Sequence, residues 1–247
     1  MFDRSLKEWR NRRGMSQMAL ALAADVSPRH LSFLEAARAR PSAIMVMRLA
    51  EALDLSLRDR NSLLVAAGFA PQYSDSDWLS PQMAEIRQAA ALLIAAHAPN
   101  PALVLDAAFG IVDANEAAFA LIGGRPSPGV SLNLVDLVFR PGPVRDAIVN
   151  WEEVAAYLLH RLQDAARRRG PDSAAARTLA QARRWPGGAQ LGAAIGRDRH
   201  GVILPLEFQI DRMVTRWFTT VTSFGGPQDA LAEEITIEQF HPIAGPD

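Results

Sequence analysis

The chain has 247 residues, 49% of them apolar and 21% charged, and its net charge is −1. This apolar content excludes intrinsic disorder, and the modest Gly and Pro content excludes collagen-like and low-complexity classes. It leaves room for one large domain or two small ones. No apolar run approaches the roughly 18 residues of a membrane span, and Met1-Phe2-Asp3-Arg4 does not open a signal peptide. There is no cysteine, so disulfides, thiolate metal sites and a cysteine nucleophile are excluded and a cytoplasmic location is expected. Lys7 is the only lysine.

Charge divides the chain. Residues 1–72 carry 11 basic against 7 acidic side chains, and residues 73–247 carry 15 against 20. A basic head on an acidic body points to a polyanion partner for the head.

In chain order, the head is helical in short pieces. Ser16 caps a helix whose inner face is Leu20 and Ala21. Ala24-Asp25-Val26 then forms a tight turn. Ser27 caps a second helix with Pro28 at its first position, where a missing N–H costs nothing. Leu31 and Leu34 face inward and leave Pro28, Arg29, Ser32 and Phe33 outward. Two short helices joined this way, the second presenting polar residues at its start, have helix-turn-helix geometry.

Residues 3–68 resemble the lambda-repressor-like family, of the xenobiotic-response-element type. The resemblance rests on Ser16-Gln17, Val26-Ser27, Leu31-Ser32, Leu34-Glu35 and Arg40-Pro41-Ser42, and runs on through helices at Ala43–Leu53 and Ser56–Ala67. It departs from the pattern at Asp25 and at Ala36-Ala37, where Gly is usual; Asp tolerates the left-handed conformation. The resemblance implies a double-stranded DNA operator. Arg29 is placed to reach base edges and Phe33 to lie on thymine methyls. Gln17, Arg38 and Arg40 suit phosphate positioning, with Arg12 and Arg13 adding to that face. Ser27, Pro28, His30 and Ser32 complete the candidate DNA-binding set. Glu35 is expected to pair inside the domain with Arg10. Gln17 and Ser27 can equally serve only their helix starts, and His30 only packing.

Between Gly68 and Pro81 a Gly and two Pro break the helical period. The domains are read as 1–70, a linker over 71–81, and a body over 82–247. Gln82–His97 forms an amphipathic helix with Met83, Ile86, Ala90, Leu93 and Ile94 on one face. Ala102–Asp106 and Ile111–Asp113 are strands, followed by a helix over Asn115–Ile122. Val144–Arg169 reads as one long helix ending in Arg167, Arg168 and Arg169 before Gly170-Pro171, and the three arginines as a solvated helix end. Alternation over Leu204–Ile210, then Trp217–Phe224 and Glu234–Gln239, predicts further strands.

The strand, turn, strand and helix over 101–119 is how PAS sensor domains open. Residues 82–242 resemble the MmyB-like regulators, on Pro101–Asp106, Asn115, Asn133–Phe139, Arg145, Asn150-Trp151-Glu152, Phe224–Asp229 and Ile237-Glu238 with Phe240. The expected architecture is an all-α helix-turn-helix domain of five helices followed by an α+β, PAS-like domain. The resemblance implies a pocket for a small apolar ligand, with fatty acids the leading class. Phe119, Trp151, Tyr157, Phe208 and Phe218 are the candidate liners, or else core. Arg145, Asn150 and Tyr157 are candidate donors to the ligand's polar end.

Enzymatic bodies meet specific objections. A Ser/Lys protease needs a second-domain lysine, and a zinc peptidase needs His-Glu-x-x-His; neither is present. His97, His160, His200 and His241 stand singly in sequence, so no metal and no cofactor are expected. A homodimer is expected, because one module buries too little surface for specific binding. The rival reading gives the body only dimerisation or the docking of a partner protein.

Overall fold

A computed structural model describes residues 1–127, 129–191, 204–210 and 212–243. By its contacts the chain forms two units, Met1–Asp77 with Gly226–Glu233, and Trp78–Gly225 with Glu234–Asp247. The stretch 71–77, read from the sequence as linker, therefore packs with the head, as does a short stretch from far along the chain.

The first unit contains α1 (Phe2–Arg12), α2 (Gln17–Ala23), α3 (Pro28–Glu35), α4 (Ala43–Ala52) and α5 (Leu57–Ala66). The last four each start at a serine. Ser16, Ser27, Ser42 and Ser56 accept the amides of Ala19, His30, Met45 and Asp59 at 3.1–3.2 Å. Each such cap contributes roughly 1 kcal/mol. Leu6, Leu20, Leu31, Leu34 and Leu49 are buried at the centre. In the turn between α2 and α3, Asp25 takes a left-handed φ of 51°, and Val26 N–H donates to Ala21 C=O at 2.9 Å.

Asn61 on α5 explains why the chain beyond it stays with the head. Its Oδ1 accepts the amides of Gln72 and Tyr73, and its Nδ2 donates to Tyr73 C=O. The returning stretch includes a one-turn helix, Ala230–Glu234. Ala230 N–H donates to Ser74 C=O at 2.8 Å, and Asp229 accepts Ser76 N–H. Glu233 accepts Leu57 N–H at 2.7 Å, which supplies an acceptor to the start of α5.

The second unit opens with a 3-10 turn, Pro81–Met83, and α6 (Ala84–Ala96). There follow β1 (Ala102–Leu105), β2 (Gly110–Ala114), α7 (Glu116–Leu121), β3 (Leu132–Asn133) and α8 (Leu134–Phe139). Next come α9 (Pro143–Ala147), α10 (Trp151–Arg169), α11 (Ala174–Ala182) and α12 (Gly188–Leu191). The chain closes with β4 (Leu206–Ile210), β5 (Met213–Ser223) and β6 (Thr236–Pro242). The sheet is antiparallel, in the order β3-β2-β1-β6-β5-β4. Buried Asn115 joins its parts. Its side chain accepts from Ala102 N–H and Ala118 N–H, and donates to Ile94 C=O and Asn100 C=O.

Three expectations need correction. The long helix over 144–169 is two helices, because the chain at Ile148–Asn150 pairs with the outer edge of β4. Val149 N–H donates to Glu207 C=O at 2.8 Å, and the Asn150 amide oxygen accepts Glu207 N–H at 3.1 Å. This pairing satisfies an edge strand that helical hydrogen bonding would have left open. Leu93, placed on the inner face of α6, is exposed. The Arg167–Arg169 run is not simply solvated, since Arg169 pairs with the buried carboxylate of Glu234. Five elements among the described residues have no counterpart in the reading by periodicity: β3, α8, α11, α12 and the one-turn helix Ala230–Glu234.

Candidate functional sites

The candidate recognition surface of the first unit lies on α3. Leu31 and Leu34 turn into the core, and Pro28 and Arg29 stand exposed at the start of the helix. The Arg29 guanidinium lies 5.5 Å from the centre of the Phe33 ring, one turn on. A cation over an aromatic face is held by the ring's quadrupole. Ser32, His30 and Phe33 are half-buried, and Arg38 and Arg40 are exposed in the loop after α3. Ala37 in that loop has a φ of 56°, while Arg38 N–H donates to Phe33 C=O at 2.8 Å.

Beneath this surface sits a closed polar cluster. Arg10 Nε and Nη2 donate to the two oxygens of Glu35 at 2.6 and 3.0 Å, and Nη1 donates to Met15 C=O at 2.8 Å. Gln17 Nε2 donates to Glu35 at 2.8 Å. Burial works against the Glu35 carboxylate, yet the hydrogen bonds from Arg10 and Gln17 outweigh it and hold the carboxyl below its usual range. The expected Arg10–Glu35 pair is thus present. Gln17 commits its amide N–H to Glu35, and the Ser27 hydroxyl oxygen accepts His30 N–H as a helix cap. Arg13 does not extend the basic face: it donates to Leu53 C=O and Asp54 C=O and ties the end of α1 to the end of α4. Arg12 lies over the Trp9 ring.

The second unit holds a cavity of about 80 Å³, several times the space one water needs. Its wall comes from β1, α7, α8, α10 and β4 to β6, and is mainly aliphatic. Val154, Tyr157, Leu158 and Arg161 line it from one face of α10, at steps of three and four residues. Of the five aromatic candidates, Tyr157 and Phe208 line this cavity; Phe119, Trp151 and Phe218 do not. Phe119 is buried in the core beneath Arg125. Trp151 packs edge-on to Phe139 and donates its indole N–H to Val138 C=O at 2.7 Å. Phe218 stacks on His241.

Two of the candidate head-group donors are also committed elsewhere. Arg145 donates to Phe139 C=O and lies over Trp151, and Asn150 secures the edge of β4. Among the described residues the charged ones lining the cavity are Arg161, which the sequence reading passes over, and Glu238, which it names only as part of the family signature and not as a site residue. Arg161 Nη1 donates to both oxygens of Glu238 at 2.9–3.0 Å. The available signal was the placement of Arg161 four residues after Tyr157, on the same helical face.

Residues 6–59 match the helix-turn-helix family, and residues 86–243 match the MmyB-like transcription regulator ligand binding domain. The chain belongs to the MmyB-like transcription regulators. It is a DNA-binding transcription regulator with a ligand-binding domain. Comparison with curated proteins finds no match.

In the MmyB-like domain two histidines that stand apart in sequence meet. The His97 and His241 rings lie edge to face with centres 4.8 Å apart. His97 Nε2 is 2.7 Å from Phe240 C=O, and His241 Nε2 is 2.9 Å from Thr220 Oγ1. Burial, and then the neighbouring His97, hold the His241 imidazole below its ordinary value. His160 lies 3.4 Å from Asp164, and His200 is outside the described residues. Among the described residues no three side chains gather as metal ligands, and no helix is long and apolar enough to cross a membrane.

Proposed function

We propose that the chain is a one-component, cytoplasmic regulator. Its α3 reads an operator, and its second unit is a PAS-like sensor for a small apolar effector with a fatty-acid-like acyl chain. The observation that carries this reading is the cavity, whose wall is apolar apart from a few polar groups. Apolar surface removed from water is worth about 25 cal/mol per Å², so an acyl chain can bind there largely by burial. The strand, turn, strand and helix of β1, β2 and α7 support the PAS-like assignment.

The regulator acts by binding and not by catalysis, as a homodimer on a near-palindromic operator with half-sites roughly 34 Å apart. Leu92 and Leu93, exposed on α6, support an apolar contact between copies. Coupling requires the effector to favour one state of the protein over another, typically by about 1–3 kcal/mol. The experiment titrates medium- and long-chain acyl compounds while following both thermal melting and operator affinity. A melting shift with a change in operator affinity is expected. No shift with any acyl compound would remove the sensor reading and leave the body to dimerisation or partner docking.

A further inference from the structure

We infer that the effector presents a neutral carbonyl, as an amide, ester or lactone does, to Arg161 and Glu238, and that a free carboxylate is disfavoured there. The inference rests on the cavity binding an acyl chain and specifies the polar end of that ligand. Among the described residues, Arg161 and Glu238 are the only charged ones on the cavity wall. Their side chains are 19% and 6% exposed, so the pair is largely withdrawn from water. The guanidinium lies 5.1 Å from the centre of the Phe109 ring and 5.7 Å from that of Tyr157.

Among the described residues Arg161 donates from Nη1 alone, and both bonds go to Glu238. Nε and Nη2 carry three further N–H groups fixed in the guanidinium plane. Such donors suit an acceptor oxygen on a ligand in the cavity. The charge is already balanced, however. A ligand carboxylate would set a second anion beside the Glu238 carboxylate, and like charges in a poorly solvated site resist joint ionisation. A neutral carbonyl takes the donor and adds no charge. An amide also returns an N–H toward Glu238, whose two oxygens have lone pairs beyond those that Nη1 occupies.

The test is calorimetric titration of the full chain with decanamide and with decanoate near neutral pH. The expected result is tighter binding of decanamide, by about tenfold or more, the effect of a pKa conflict of one unit. Glu238→Gln leaves Arg161 uncompensated, so decanoate should become the tighter ligand. The double substitution Arg161→Gln with Glu238→Gln removes both charges and should bring the two affinities close together. It also guards against a single variant that does not fold. Decanoate bound by the unmodified protein as tightly as decanamide, or more tightly, would overturn the inference and leave the acyl-sensor reading intact. So would a Glu238→Gln protein that folds and keeps the original order. Failure of both compounds to bind would overturn it too; if other acyl compounds then still shifted melting, the sensor reading would survive.

Discussion

Both units contain a buried arginine–glutamate pair, and the two pairs differ in what surrounds them. In the helical head all three nitrogens of Arg10 are engaged, and Glu35 takes a further bond from Gln17. In the MmyB-like domain, among the described residues, only Nη1 of Arg161 is bonded, and both partners face a cavity. The same two side chains form a strut where neighbours satisfy every group, and a cavity-facing pair where some groups are left over. Buried polar groups are costly when unpaired, so the closed cluster specifies packing and the open one invites a partner.

Removing one member of each pair should separate the two cases. Glu35→Ala leaves Arg10 buried without its counter-ion and should cost about 3–5 kcal/mol of first-unit stability. Glu238→Ala should cost less, about 1–3 kcal/mol, because the Arg161 side chain is less deeply buried than that of Arg10, 19% against 10% exposed. Hydrogen exchange of amides in α1 and α3, and in α10 and β6, reads the two units separately. Equal losses would mean that the second pair is as closed as the first.

On the proposed DNA-facing surface of α3, Arg29→Ala should lose about 1–3 kcal/mol against the preferred operator and relax one base position. Arg40→Ala should weaken all sequences alike and reduce the salt slope by about one. Binding assays against operator and scrambled DNA at several salt concentrations distinguish them.

Acid should also act on the units in sequence. His241 is held below its ordinary 6.5 by burial and by His97. Its unfolded form takes a proton more readily, so the stability it contributes is full above pH 6.5 and is lost as pH falls through the folded value. Glu35 is held below its ordinary 4.5 by Arg10 and Gln17, against the effect of burial, so its contribution is full above pH 4.5 and is lost below that. Acidification from pH 7 should therefore loosen amides around β6 before those of α1 and α3. His241→Gln and Glu35→Gln should each flatten the corresponding dependence.

The smallest effect expected is a gain. Ala37 takes a left-handed φ of 56° after α3, a conformation that costs a residue with a Cβ roughly 1–2 kcal/mol. Ala37→Gly should raise first-unit stability by about 1 kcal/mol, net of glycine's greater chain entropy. Thermal melting checks this, and the second unit's hydrogen exchange should not change.

Much of the first unit was legible because its signals are local. Ser27 with Pro28 marks a helix start wherever it occurs, Asp25 tolerates the turn it sits in, and Leu31 with Leu34 sets the inward face of α3 by helical period alone. The Arg10–Glu35 pair was also expected, from the pattern of the family that this region resembles. The candidate ligand site was less legible. Tyr157 and Phe208 reached the cavity, but Phe119, Trp151 and Phe218 went elsewhere, since an aromatic side chain suits a core and a ligand equally well.

What the sequence by itself determined is the basic helical head, the motif on its third helix, and the α and β segments of the body with a strong period. Tertiary structure alone decided the pairing of Arg161 with Glu238, 77 residues apart, and the meeting of His97 with His241. It also decided the interruption at Ile148–Asn150 and the return of residues 226–233 to the head. Each of these depends on which strands become neighbours and which edge or helix start is left unsatisfied. Those are properties of pairing between distant segments, and neither composition nor local period carries them.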